Sequence, residues 1–161
     1  MKKTLFLFLL LLFTLSGRAQ LPQITLKNIG GKEVNVSQLT TEGRPVIISF
    51  FATWCKPCLR ELSAIHEVYE DWQAETGVKL VAVSIDEGAT SLKVKPLAQS
   101  LDWQYEVLLD PNSDLKRALQ VQLVPTVIVV DGKGHIVYRH SGYSEGSEEE
   151  IIAQVRKTLK R

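Results

Sequence analysis

The sequence predicts an α/β protein: a central mixed β-sheet flanked by helices, with an extra N-terminal β-hairpin. Three observations predict it. Val46-Ile47-Ile48-Ser49-Phe50-Phe51 is a nearly continuous run of β-branched and aromatic residues, the pattern of a central strand covered on both faces. Behind it Leu59, Leu62, Ile65, Tyr69 and Trp72 recur at three- and four-residue steps, one apolar helix face that ends by Gly77, and Val78–Ile85 is apolar again. Strand, helix, strand makes a right-handed crossover with parallel strands, whereas Asp131-Gly132-Lys133-Gly134 between Val127–Val130 and Ile136–Arg139 is a hairpin signal for antiparallel pairing.

The first residues read as an address and not as part of the fold. Lys2 and Lys3 precede an apolar stretch from Leu5 to Leu15, and Gly17-Arg18-Ala19 offers small residues at a cleavage site. That stretch fits the ~7–15 apolar residues of a secretory signal and falls short of the ~20 that span a bilayer. Residues 1–19 are therefore expected to be a signal peptide cleaved after Ala19, with a retained membrane anchor as the alternative, and the destination is periplasmic. The segment has no cysteine, which excludes thioether lipidation of a new N-terminal Cys. Residues 20–161 then form one domain, since about 140 residues bury one proper core and not two. The segment carries three of the 19 basic residues and none of the 18 acids, which leaves sixteen against eighteen. A balance so near neutrality gives no reason to invoke nucleic acid or an anionic membrane surface.

Along the domain, Ile24–Val36 alternates around Asn28-Ile29-Gly30-Gly31-Lys32, a peripheral hairpin with a glycine-assisted turn. The stretch from Gly88 to Leu101 is helix-like but holds Pro96, so a kink or a late start is expected. A short strand follows at Glu106–Leu109. Asp110-Pro111-Asn112-Ser113 then opens a helix of about two turns to Leu119, and Val124-Pro125-Thr126 leads into the strand Val127–Val130. Ser147 with Glu150 forms a capping-box pattern for a last helix carrying Ile151, Ile152, Val155 and Leu159.

The chemistry is carried by two cysteines, Cys55 and Cys58, the only two in the chain. As a staple they are poorly placed, because a bridge across so short a loop removes little chain entropy. As a redox pair they are well placed, at the junction of a buried strand and a helix. A thiol attacks a disulfide only as thiolate, and a free cysteine with a pKa of about 8.5 is mostly protonated at neutral pH. At the start of a helix Cys55 meets exposed N–H groups and the positive end of the macrodipole, and Lys56 adds a neighbouring charge. Cys58 lies one turn inside and suits resolution of a mixed disulfide. The two cysteines thus have unequal roles.

Phe51-Ala52-Thr53-Trp54-Cys55-Lys56-Pro57-Cys58-Leu59-Arg60-Glu61-Leu62 resembles the active-site segment of the thioredoxin superfamily, most closely its extracytoplasmic branch of TlpA and ResA type. The likeness runs from about Pro22 to Leu159, nearly all of the mature chain. It implies a thioredoxin fold, thiol-disulfide exchange with partner proteins and, often in that branch, reduction of apocytochrome c or other exported cysteines. It also implies a cis Pro125 lying against the cysteines, with the backbone of Val124 pairing with bound substrate. Trp54, Lys56 and Pro57 complete the expected substrate-facing set, although Lys56 reads equally as a solvated lysine. Thioredoxins proper carry a buried acid six residues before the nucleophile, where this chain has Ser49. Glu61, three residues past Cys58, matches a glutamate found near the disulfide in the TlpA and ResA branch and is the candidate substitute. A solvated surface glutamate is the other reading.

Other functions were open to the same residues. Cys-x-x-Cys is half of a zinc cluster or a metal carrier's site, but no second half is visible, and His66, His135 and His140 share no spacing and read as surface residues. A redox-inert binding module would not need both cysteines, and a peroxidase of peroxiredoxin type relies on a single attacking cysteine in a different loop. No metal or cofactor is therefore expected. Resemblance points to a reductase supplied by a membrane thiol donor, since the domain has no second dithiol of its own, while the residues alone leave the direction of exchange open; a monomer is expected.

Overall fold

The computed structural model describes residues 19–40 and 42–160, so the signal segment apart from Ala19 lies outside the described residues. The strands are β1 (Thr25–Asn28), β2 (Glu33–Asn35), β3 (Val46–Phe51), β4 (Lys79–Ser84), β5 (Glu106–Leu109), β6 (Thr126–Val130) and β7 (Ile136–Ser141). The helices are α1 (Lys56–Thr76), α2 (Val94–Ser100), α3 (Asp114–Ala118) and α4 (Ser147–Leu159). All seven strands join one sheet in the order β2-β1-β5-β4-β3-β6-β7. The pairs β3–β4 and β4–β5 are parallel and the remaining pairs antiparallel, so the sheet is mixed, with the N-terminal hairpin at one edge. This is the thioredoxin-like architecture expected from the sequence.

Every residue of β3 is buried, which is why the strand tolerates no polar–apolar alternation. Ile47 and Phe51 face one way, into a core with Leu62, Ile65 and Trp72 of α1 and Ile151, Ile152 and Val155 of α4. Val46, Ile48 and Phe50 face the other way, into a core with Val36, Leu115 and Leu119. Truncating one of the Leu or Ile side chains to alanine costs about 2–5 kcal/mol, and one of the Phe or Trp side chains about 3–5 kcal/mol. Ser49 is the one polar residue of β3, and it points with Ile47 and Phe51 towards α1.

α1 ends at Gly77, whose φ of 68° is the left-handed conformation that only glycine adopts freely. Pro96 resolves as a late start: a 3-10 turn covers Gly88–Lys93, and the proline sits in the first turn of α2, where its missing N–H has no partner to lose. The entry to α3 differs from expectation. Ser113 has φ 55° and makes no cap; instead the buried Asp110 carboxylate accepts N–H bonds from Leu115 and Lys116 at 3.2 and 2.9 Å, and the helix is shorter than two turns. The capping box at Ser147 does not form either. Gly146, with φ 86°, is the cap, so Ser147 is already helical and its hydroxyl is buried without a hydrogen-bond partner. Leu159 is half-exposed and lies outside the core. Ala19 and Leu21 bond to Ile136 and Gly134 beside the β6–β7 hairpin, at the opposite edge of the sheet from β2. No helix among the described residues is long and apolar enough to cross a membrane.

Candidate active site

Cys55 is the N-cap of α1, in extended conformation, and Cys58 lies in the helix's first turn. The two form a disulfide with Sγ–Sγ 2.03 Å and Cα–Cα 5.3 Å. The backbone N–H of Cys58 donates to Cys55 Sγ at 3.3 Å, so the helix terminus aims a donor at this sulfur. A thiolate on the same atom gains more from that donor than a neutral sulfur does, because the acceptor is then charged. Cys55 is 6% exposed and Cys58 is fully buried, which makes Cys55 the accessible member of the pair.

The loop that presents Cys55 is held from β4. Asp86, 1% exposed just past the strand end, accepts the Thr53 N–H at 2.8 Å and the Thr53 hydroxyl at 2.7 Å. Its Oδ2 also accepts the Ser84 hydroxyl at 2.9 Å. Sequence reasoning missed Asp86. The available signal was an acid at the carboxyl end of a buried parallel strand, where α/β sheets place their sites.

Trp54 is 65% exposed, so it is no core residue, and Lys56 and Pro57 beside it are exposed as well. The Val124–Pro125 bond is cis. Thr126 pairs with Phe50, which brings Pro125 to the carboxyl end of β3, the end from which the cysteine loop departs. Pro125 is buried and its carbonyl accepts from the Gly142 N–H at 2.8 Å, while Val124 is half-buried.

Glu61 is 1% exposed, which overturns the surface reading of this residue. It follows Cys58 by one helical turn on the same buried side of α1. The Ser49 hydroxyl donates to its Oε2 at 3.2 Å, and its Oε1 is buried without a hydrogen-bond partner. Burial pushes the Glu61 carboxyl from 4.5 up to about 7; the Ser49 hydrogen bond pulls it down and the charge of Glu148 pushes it further up. The site thus holds a carboxyl group that exchanges a proton near neutrality.

His66, His135 and His140 are each half-buried, on different elements, and His135 Nδ1 lies 3.3 Å from Asp131. Among the described residues no group of three or more His, Cys, Asp or Glu side chains is arranged to hold a metal ion.

A disulfide at a helix N-terminus, set at the carboxyl end of the central strand of this sheet, defines the class: a thioredoxin-like thiol-disulfide oxidoreductase. Residues 18–139 match the AhpC/TSA family, and the chain belongs to it. Among curated relatives, a thiol-disulfide oxidoreductase ResA of Bacillus cereus is 28% identical over 136 residues, 84% of this chain and 75% of that protein. The solution structure of an uncharacterized thioredoxin-like protein from Porphyromonas gingivalis is 62% identical, with a TM-score of 0.77 over 89% of this chain and 94% of that one. A putative thiol:disulfide interchange protein DsbE from Chlorobium tepidum shares the fold at 24% identity, with a TM-score of 0.77 over 88% of this chain and 96% of that one.

Proposed function

We propose that this protein is exported by its N-terminal segment and works as a reductase of disulfides in partner proteins, such as those met in cytochrome c maturation. The observation that carries the reading is the buried Glu61 one turn beyond Cys58, bonded to Ser49 and titrating near neutrality.

In the reduced protein the Cys55 thiolate, stabilised by the N-terminus of α1, attacks one sulfur of a partner disulfide. The partner's sulfur–sulfur bond breaks, a Cys55–partner bond forms, and the partner's second sulfur leaves as thiolate. Cys58 must then lose a proton in a setting that disfavours its anion, because burial raises a thiol's pKa. The Glu61 carboxylate takes that proton, directly or through one water. The Cys58 thiolate attacks Cys55 Sγ, closes the 55–58 disulfide and releases the partner's other thiolate. Two electrons have moved to the partner, and an external dithiol, supplied at the membrane, must return two. Trp54, Lys56 and Pro57 form the rim on which the partner docks, and the backbone of Val124 before Pro125 pairs with its extended chain. The protein acts as a monomer and needs no cofactor or metal.

The reduction potential of the 55–58 pair tests the direction. A value at or below about −220 mV is that of a reductant, whereas one above about −150 mV is that of an oxidant and contradicts the reading.

A further inference from the structure

Resting on the reading that Cys55 exchanges with cysteines of partner proteins, the surface beside it gives the partner a chemistry. Among the described residues the exposed large hydrophobic side chains are Trp54, Leu92, Leu123 and Leu159. Leu159 ends α4, whereas Leu123 leads into the Val124–Pro125 bond and Trp54 adjoins Cys55. Exposed apolar surface gathered at one place marks a binding surface. Between the cysteine loop and α2 lies a groove of about 480 Å³ whose apolar walls are Trp54, Pro96 and Leu97. Leu92, 78% exposed, stands next to Lys93, which also lines it. Thr53 and Trp54 immediately precede Cys55, so part of the wall lies within about 7 Å of the Cys55 backbone.

The polar character of the groove is one-sided. Its hydroxyls have already given their protons away: Thr53 to Asp86 at 2.7 Å, Thr90 to the Glu87 carbonyl at 2.8 Å and Ser100 to the Leu97 carbonyl at 2.8 Å. Lys93 is the one charged side chain in the lining, and no acid pairs with it among the described residues. The segments that frame the groove, residues 53–56 and 87–100, carry Lys56, Lys93 and Lys95 against a single acid, Glu87, and all four are exposed. Apolar walls with an unpaired ammonium beside them fit a ligand that has an apolar body and an anion.

We propose that this groove selects partner segments in which a cysteine, a large apolar side chain and a carboxylate occupy alternate positions of an extended chain. Alternate side chains of such a chain lie on one face, about 7 Å from one to the next. With the partner's sulfur at Cys55, the apolar side chain enters between Trp54 and Leu97, and the carboxylate meets Lys93. A partner with a lysine in place of that carboxylate sets like charges against each other and is disfavoured. Trp54 thus anchors the segment, and Lys93 decides which segments are taken.

The test uses reduced Cys58→Ser protein and short peptides whose cysteine carries a thiopyridyl group. Attack by Cys55 joins its sulfur to the peptide's and releases thiopyridone, which is followed by absorbance. The peptides carry Phe or Gly at the first alternate position and Glu or Lys at the second, on either side of the cysteine. On one side, the peptide with Phe and Glu is expected to react about tenfold faster than the one with Gly and Glu. It is also expected to react about fivefold faster than the one with Phe and Lys at low salt. Lys93→Glu is expected to reverse the second preference. Equal rates for all peptides overturn the inference, as does a Lys93→Glu protein that keeps the original order. A preference for Glu over Lys as large in the Gly series as in the Phe series is long-range steering by the lysines, and it overturns the groove as well. No reaction with any peptide overturns instead the reading of Cys55 as the exchanging thiol, and the inference with it.

Discussion

Ser49, in the middle of the central strand, donates its hydroxyl to Glu61 Oε2 at 3.2 Å, so the two residues occupy together a place where a single strand-borne acid is expected. The strand supplies a neutral anchor and the helix supplies the titrating group. Replacing Glu61 by Gln keeps the shape and removes the base. The initial attack by Cys55 is expected to keep its rate, while resolution slows at least tenfold and the mixed disulfide accumulates, within the usual range for loss of a general base. Rapid-quench trapping with a model disulfide measures both steps, and wild-type rates in both would remove Glu61 from the mechanism.

Ser49→Ala acts on the same proton with a defined sign. The Ser49 hydrogen bond lowers the Glu61 pKa, so its loss raises it. The acid limb of resolution is expected to move to higher pH. A shift to lower pH, or none, contradicts the role given to this bond.

The same carboxyl group makes stability depend on pH. Its value is raised in the folded protein to about 7, above the ordinary 4.5. Its contribution is therefore fully present below about 4.5 and lost as the pH rises through about 7, a fall of roughly 3 kcal/mol. Urea unfolding of the oxidised protein at both ends of that window should show the fall in wild type and not in Glu61→Gln. Equal changes in the two proteins would mean that Glu61 titrates in the folded protein as it does in the unfolded chain.

Asp86→Ala deprives the Thr53 N–H, the Thr53 hydroxyl and the Ser84 hydroxyl of their acceptor. A loss of about 3 kcal/mol is expected, together with slower attack by Cys55, because the cysteine loop loses its tie to β4. Equilibrium unfolding and single-turnover rates check both. A change within about 0.5 kcal/mol would place Asp86 among ordinary surface positions.

Much of this was legible in the sequence because it is local. The apolar run of β3, the three- and four-residue steps of α1 and the Asp131-Gly132 turn each specify their element within a few residues. The cysteine pair announces itself by spacing. What was not legible depends on partners far along the chain. Thr53 and Asp86 are 33 positions apart, and neither residue type marks the other. The burial of Glu61 was half legible: it lies three residues past Cys58 and four before Ile65, on the face that packs, yet glutamate is so seldom buried that spacing alone does not decide. The Ser147 cap failed by one position, because Gly146 takes the left-handed conformation and starts the helix a residue earlier than a serine cap would. At α3 the capping group is Asp110, which reaches over an intervening turn to Leu115 and Lys116.

The central claim is that Cys55 attacks and Cys58 resolves, and it is tested most directly by trapping. Reduced Cys58→Ser and Cys55→Ser proteins are each mixed with a peptide disulfide at neutral pH, and the covalent adduct is followed by mass spectrometry. Cys58→Ser is expected to form a stable adduct through Cys55, the accessible sulfur that accepts the helix N–H, as fast as wild type attacks. Cys55→Ser, left with a fully buried thiol, is expected to form none above background. An adduct forming through Cys58 at a comparable rate would contradict the account.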